Sequence, residues 1–216
     1  MVSAVLGLAT ARSLTSVFGL PASAKTAASQ SAQKNIVVIH VDDLDAKNPE
    51  LVSVWSLFSL VNEQTYLTMT PLYPGTVPDP ALSRLASTFD LNGRKKPAKD
   101  FLEALQAFQV TWDGYILVDH QGMMALNEWL GGNPSSIRLV DQGNNDAAMI
   151  LQEESLLLTG ICHGLNQTGF APDESAQWGA VYPDHLKTDL SMRKIIPQWQ
   201  QLNEGQAPLV CNVFSN

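Results

Sequence analysis

The stretch NIVVIHV, Asn35 to Val41, constrains the chain most. A near-continuous β-branched run of this length marks a strand buried on both faces. The turn cluster DDLDAKNPE follows, and LVSVWSLFSLV, Leu51 to Val61, reads as the returning strand. Together they predict a hairpin with a long tip. The three aspartates of the tip lack the glycine and distal glutamate of a calcium loop, so they read as a solvated turn.

A second unit lies at WDGYILVDHQGMMALNEWLGG, Trp112 to Gly132. GYILVD is a strand and QGMMALNEWL a helix. Gly131 and Gly132 are expected to end that helix, because glycine accepts left-handed dihedrals. Before it, MTPLYPGTVPDP (Met69 to Pro80) reads as a proline-rich loop. ALSRLASTFDL has helical spacing at Leu82, Leu85 and Phe89, and NGRKKPAK is a basic, solvated turn. DFLEALQAFQV predicts a helix with Asp100 as N-cap, Glu103 completing a capping box, and Phe101, Leu102, Leu105 and Phe108 buried. After the unit, Asn144 to Leu165 predicts a long helix capped by Asn145 or Asp146 and stopped at Gly164. NQTGFAPDESAQWGAVYPDH is a long irregular segment, TDLSMRKIIPQWQQL a short helix, and APLVCNVF a last strand.

The 216 residues, 45% hydrophobic and 16% charged, suit one α/β-sized domain with a sizeable core plus a tail. The formal net charge of -8 opposes binding to nucleic acid or an anionic membrane surface. At the N-terminus, MVSAVLGLATA is apolar and small, and PASA resembles a small-residue cleavage site. The run is too short to span a membrane. It reads as an export segment, either a weak signal peptide or the end of an anchor, with an ordinary flexible terminus as the alternative. SAKTAASQSAQK is a polar linker. Residues 1–33 are thus assigned to an export or anchor-like segment and linker, and 34–216 to the folded domain. Cys162 and Cys211 would pair in an exported protein and be small buried hydrophobes in a cytosolic one.

The usual catalytic signatures are missing: no nucleophile elbow, phosphate loop, zinc-protease helix or dinucleotide fingerprint. The four histidines, His40, His120, His163 and His185, are scattered. Cys162 and His163 are adjacent in a helix and point about 100° apart, which is no nucleophile–base pair. Asp113 and Asp119 flank a strand, and one carboxylate at a strand end is no mechanism.

The order of elements is informative where single motifs are not. FLEALQAFQVTWDGYILVDHQGMMALNEWLGG resembles the middle of the LytR-CpsA-Psr (LCP) family, with Trp112, Asp113, Tyr115, Val118, Asp119, Leu126 and Gly131-Gly132 at matching places. The hairpin before it is similar to the family's first hairpin. NDAAMILQEESLLL has the spacing of the family's arginine-bearing helix, and TDLS (Thr188 to Ser191) is similar to the element opening its last helix. The resemblance runs from Lys34 to Phe214. It implies a single three-layer α/β/α domain with a central mixed sheet, held outside the cytoplasmic membrane, secreted or membrane-anchored. The family transfers glycopolymers from a polyprenyl-pyrophosphate carrier to the cell wall. The lipid lies between sheet and helices. Arginines and an aspartate-bound magnesium neutralise the pyrophosphate.

Position by position, the charged set is gone. The family's first-strand Asp falls on Lys34, and the Arg and Asp of its second strand near Ser59 and Leu60. Its two helix arginines fall on Met149 and Gln152, and the Gln that follows them on Glu153. Asp146 alone survives, and Arg138 is the one basic residue between Gly132 and Asp146. Replacing an arginine that meets a buried phosphate charge removes about 2–5 kcal/mol, so the usual phosphotransfer is expected to be lost, and magnesium is expected only if that chemistry survives. Three readings follow. One is a non-catalytic envelope domain that keeps a polyprenyl-lipid pocket or acts as a scaffold in envelope assembly, with a polyprenyl-linked lipid or an envelope glycopolymer as its partner. Another is a transferase with a relocated site on which Lys34, Arg138, Asp146 and Arg193 converge, Gln152 being a further substrate-binding candidate. The last is a secreted interaction domain that presents its long loops.

Overall fold

The computed structural model describes residues 32–61, 64–129, 146–166, 181–191 and 209–214. Its strands are β1 (Ala32–Val41), β2 (Leu51–Val61), β3 (Thr65–Tyr73), β4 (Gly114–Asp119), β5 (Leu186–Thr188) and β6 (Leu209–Val213). Its helices are α1 (Pro80–Thr88), α2 (Lys99–Gln106), α3 (His120–Trp129) and α4 (Ala147–Asn166). One compact unit spans Ser31–Asn216. β1 begins at Ala32, three residues ahead of the strand read from Asn35.

The six strands form one mixed sheet in the order β5-β4-β1-β2-β3-β6. β1–β2, β2–β3 and β4–β5 are antiparallel, whereas β1–β4 and β3–β6 are parallel. β1 is central, as its composition requires, and its side chains alternate between two covered faces. Val37, Ile39 and Val41 pack with Val54, Tyr115 and Leu117 beneath Leu85 of α1 and Phe101, Ala104 and Leu105 of α2. Phe89 meets Phe101 edge-on at 5.1 Å between ring centroids. On the other face Trp55, Met69 and Val118 pack against Met123 of α3 and Leu151, Leu157, Leu158 and Ile161 of α4. The result is a helix–sheet–helix sandwich with a core on each side.

Several elements depart from the sequence reading. Met69 to Tyr73 is no loop but the second half of β3, which passes through Pro71. The proline is tolerated because β6 pairs with β3 only as far as Met69, and the β2–β3 register shifts beside it, between Val54 and Trp55. In α2 the N-cap is Ala98, with no side-chain cap. The bond from the Ala98 N–H to the Asp90 carbonyl, 2.8 Å, sets the chain into the helix early. Asp100 then lies in the first turn, and Glu103 pairs with Lys99 at 2.9 Å rather than reaching back to a cap. α4 runs through Gly164 to Asn166, its last turn held by Leu165 packing on the core. Leu186–Thr188 is an edge strand, so TDLS begins in the sheet rather than in a helix. Gly131, Gly132 and the helix expected after Ser191 lie outside the described residues.

Candidate functional site

The positions that match the family's charged site are spread over the sheet. The β1–β2 register sets Lys34 opposite Ser59, so two of these positions are neighbours. Lys34 is paired with Asp113 at 3.7 Å, each side chain 43% exposed, a surface pair of small energetic weight. The second Asp113 oxygen accepts the Asn35 N–H at 2.9 Å. Asp146 caps α4, its carboxylate accepting from the Ala148 N–H at 3.0 Å and its carbonyl from Ile150. Gln152 lines an open groove of about 340 Å³ with Thr76, Leu151, Ser155, Thr159 and Val213. That groove lies against β6, three strands from β1, or roughly 14 Å across the sheet. Asp146 and Gln152 therefore share the first turns of α4, and Lys34 stands apart. Arg138 and Arg193 lie outside the described residues.

Magnesium takes carboxylate and other oxygen ligands. At the β1–β2 position the chain offers an ammonium and a hydroxyl, and the nearby Asp113 already serves Lys34. Among the described residues no three His, Cys, Asp or Glu side chains converge in a metal-binding group. These residues do not fit a magnesium–pyrophosphate group. Cys162 and Cys211 form a disulfide, with 5.6 Å between their Cα atoms, that ties α4 to β6.

A different polar centre sits at the C-terminal ends of the parallel strands β1 and β4. His40 is fully buried and points to the α4 face, where its Nδ1 meets the carboxylate of Glu154, itself 4% exposed. Its Nε2 lies 2.6 Å from Nδ1 of His120, the first residue of α3. A carboxylate and two imidazoles thus run from the core to a partly exposed ring. Beside them Asp119, 2% exposed, divides its oxygens. Oδ1 accepts the Gly122 N–H at 2.8 Å and caps α3. Oδ2 meets His185 Nδ1 at 2.9 Å. The Asp119 N–H also donates to the His185 carbonyl at 3.2 Å. Burial, then the charge of His40, pulls the His120 pKa down against the opposing pull of Glu154, Asp42 and Asp119. The bond to Asp119 lifts the pKa of His185, and the charges of Asp119, Asp184 and Asp45 add to it against partial desolvation.

The TDLS element completes the frame. Thr188 Oγ1 donates to the Tyr115 carbonyl at 2.6 Å and accepts the Leu190 N–H at 3.0 Å. Asp189 accepts the Tyr115 N–H at 2.8 Å. Tyr115 and Asp119, the ends of the tyrosine-to-aspartate spacing in β4, are thus both engaged by residues 185–189. The two motifs that carry the resemblance are one structural clamp.

No family model and no curated protein matches the sequence. Solved structures do. TagT, solved bound to LIIa-WTA, aligns over 84% of this chain and 78% of its own, with 9% identity and a TM-score of 0.51. The fold is that of the LCP family. The LCP-type yvhJ of Bacillus subtilis, described as a transcriptional regulator, aligns over 84% of this chain and 81% of its own, with 13% identity and a TM-score of 0.49. Lin1025 of Listeria innocua covers 84% and 82%, with 11% identity and a TM-score of 0.46. At such identities the LCP likeness speaks for architecture, and chemistry has to be argued from this chain's own residues.

His40, His120, His185, Asp119 and Glu154 were not read as a site from the sequence. Two signals were present. A histidine inside NIVVIHV must find a buried partner. A glutamate at 154 shares the apolar stripe of Leu151, Leu157 and Leu158 on α4.

Proposed function

We propose that this chain is an extracytoplasmic LCP-like domain that takes part in cell-envelope glycopolymer assembly without performing the family's phosphotransfer. The observation that carries this reading is the pairing of Lys34 with Ser59 in register on β1 and β2 within an LCP fold. Two of the family's charged positions are adjacent in space here, yet they hold no carboxylate–arginine pair. TagT was solved with a bound WTA ligand, which favours a glycopolymer as the partner here. The Cys162–Cys211 disulfide favours an oxidising compartment. Trp55, Met69, Leu157 and Ile161 fill the space between the sheet and α4, and the groove beside Gln152 is at the small end of the range for ligand sites, about 300–1,000 Å³. The domain accordingly acts by binding rather than by transfer.

The test is made in the producing cell. The chain should fractionate with the envelope, and cells lacking it should carry an altered amount of wall-linked glycopolymer. A chain recovered from the cytosol, with wall glycopolymer unchanged in its absence, overturns the reading.

A further inference from the structure

β6 is held differently from the other strands. It lies at the edge of the sheet, and among the described residues its strand neighbour is β3 alone. The ladder runs for five residues, from Thr65 against Leu209 to Met69 against Val213. One more backbone bond follows, from the Phe214 N–H to the Met69 carbonyl at 2.9 Å. By contrast β1 is paired along its whole length with β2 and over six residues with β4.

The side chains of β6 add little burial. Cys211 and Val213 pack against the core beneath α4, and both are partly exposed, as are Leu209 and Val210. Asn212, and Phe214 just beyond the strand, are exposed. The strongest tie of the strand is therefore the bond from Cys211 to Cys162 of α4. α4 has anchors of its own. Leu151, Leu157, Leu158 and Ile161 are buried against the sheet, and Glu154 reaches His40 of β1. Breaking the S–S bond leaves those anchors and the other five strands in place, and it frees a terminal element rather than a central one.

We infer that the Cys162–Cys211 bond is a reducible latch: a dithiol opens it, and β6 then leaves the edge of β3 while the rest of the domain stays folded. This does not depend on the function proposed above. Reduction proceeds by thiol–disulfide exchange. Cys162 is 5% exposed, and Cys211 on the edge strand is more open, so the thiolate of the dithiol attacks Cys211 Sγ. A new S–S bond forms to Cys211, the old one breaks, and Cys162 leaves as a thiolate that takes up a proton. The second thiol of the reductant loses its proton and displaces Cys211, which is protonated in turn. The dithiol ends as its own cyclic disulfide, and the two electrons and two protons it gives up are those the protein gains. Release of β6 removes Val213 from the wall of the groove it shares with Gln152, Ser155 and Leu156, and it bares the outer edge of β3. The thiol state of the pair thus sets whether the groove is walled on its β6 side.

The full chain has two cysteines, so a thiol count reads the bond directly. Dithiothreitol in native buffer should free both, and its removal in air should restore the bond. Hydrogen exchange followed by mass spectrometry would compare the two states. Reduction should speed exchange of the amides of residues 210–214 about 100-fold, and in the reduced protein they should exchange well ahead of those of β1 and β4. The Cys162→Ala/Cys211→Ala variant should exchange like the reduced protein and ignore dithiothreitol. Three results would each overturn the latch: a bond that yields to dithiothreitol only after the chain is unfolded, residues 210–214 exchanging no faster on reduction, or residues 210–214 exchanging in step with β1 and β4 in the reduced protein.

Discussion

His40 and Glu154 form a buried hydrogen-bonded contact that ties β1 to α4. Removing one member leaves the other uncompensated in the core. Glu154→Leu should cost about 3–5 kcal/mol in urea unfolding, and the double change His40→Leu/Glu154→Leu should recover most of that loss. The two outer histidines make stability depend on pH in opposite senses. His185 has a raised pKa in the folded state. Its contribution is complete below about pH 6.5, the unfolded value, and fades as pH rises through the folded value. His120 has a lowered pKa. Its penalty is absent above about pH 6.5 and grows as pH falls through the window below. Melting temperature against pH should therefore peak near the ordinary histidine value. His185→Asn should flatten the alkaline side of that peak and His120→Asn the acid side. None of this was legible in the spacing of four histidines, because a parallel strand pair and a helix from another part of the chain bring the residues together. What could be read was that His40 has no business in an apolar strand without a partner.

At the level of elements, local pattern sufficed where one rule dominated. β2 and β4 are runs dense in apolar and β-branched residues, and they have the boundaries expected of them. β3 and β5 were hidden, β3 because Pro71 reads as a breaker until its missing neighbour is known, β5 because three residues carry no period. The joints between elements are tight. At Gly122 an added Cβ would lie 2.5 Å from the His185 carbonyl oxygen and 2.7 Å from Val118 Cγ2. Gly122→Ala should cost about 1–3 kcal/mol and lower the melting temperature, because a backbone carbonyl cannot step aside like a side-chain tip. The disulfide closes a separation of 49 residues. In the chain-entropy account that is worth about 4 kcal/mol, to be seen as the difference in urea unfolding between oxidised and reduced protein. Sequence spacing alone left Cys162 and Cys211 open between pairing and simple burial, since α4 and β6 meet only through the fold.

Over the whole molecule, the β1–β2 hairpin, the β4–α3 unit, α4 and the TDLS clamp appear in the order that resembles the LCP family, and the architecture agrees with that order. The charged site does not follow the architecture. Lys34 stands opposite Ser59, and Gln152 faces a groove three strands away. A fold can be kept by apolar periodicity and a few backbone clamps while the residues that meet a ligand change freely, which is why the fold could be read at 9% identity to TagT and the chemistry could not. The most direct measurement is native mass spectrometry of the purified domain with a polyprenyl phosphate and the matching pyrophosphate, each with and without magnesium. A domain without the phosphotransfer site should show no preference for the pyrophosphate and no response to the metal. Tight, magnesium-dependent binding of the pyrophosphate alone would contradict the account.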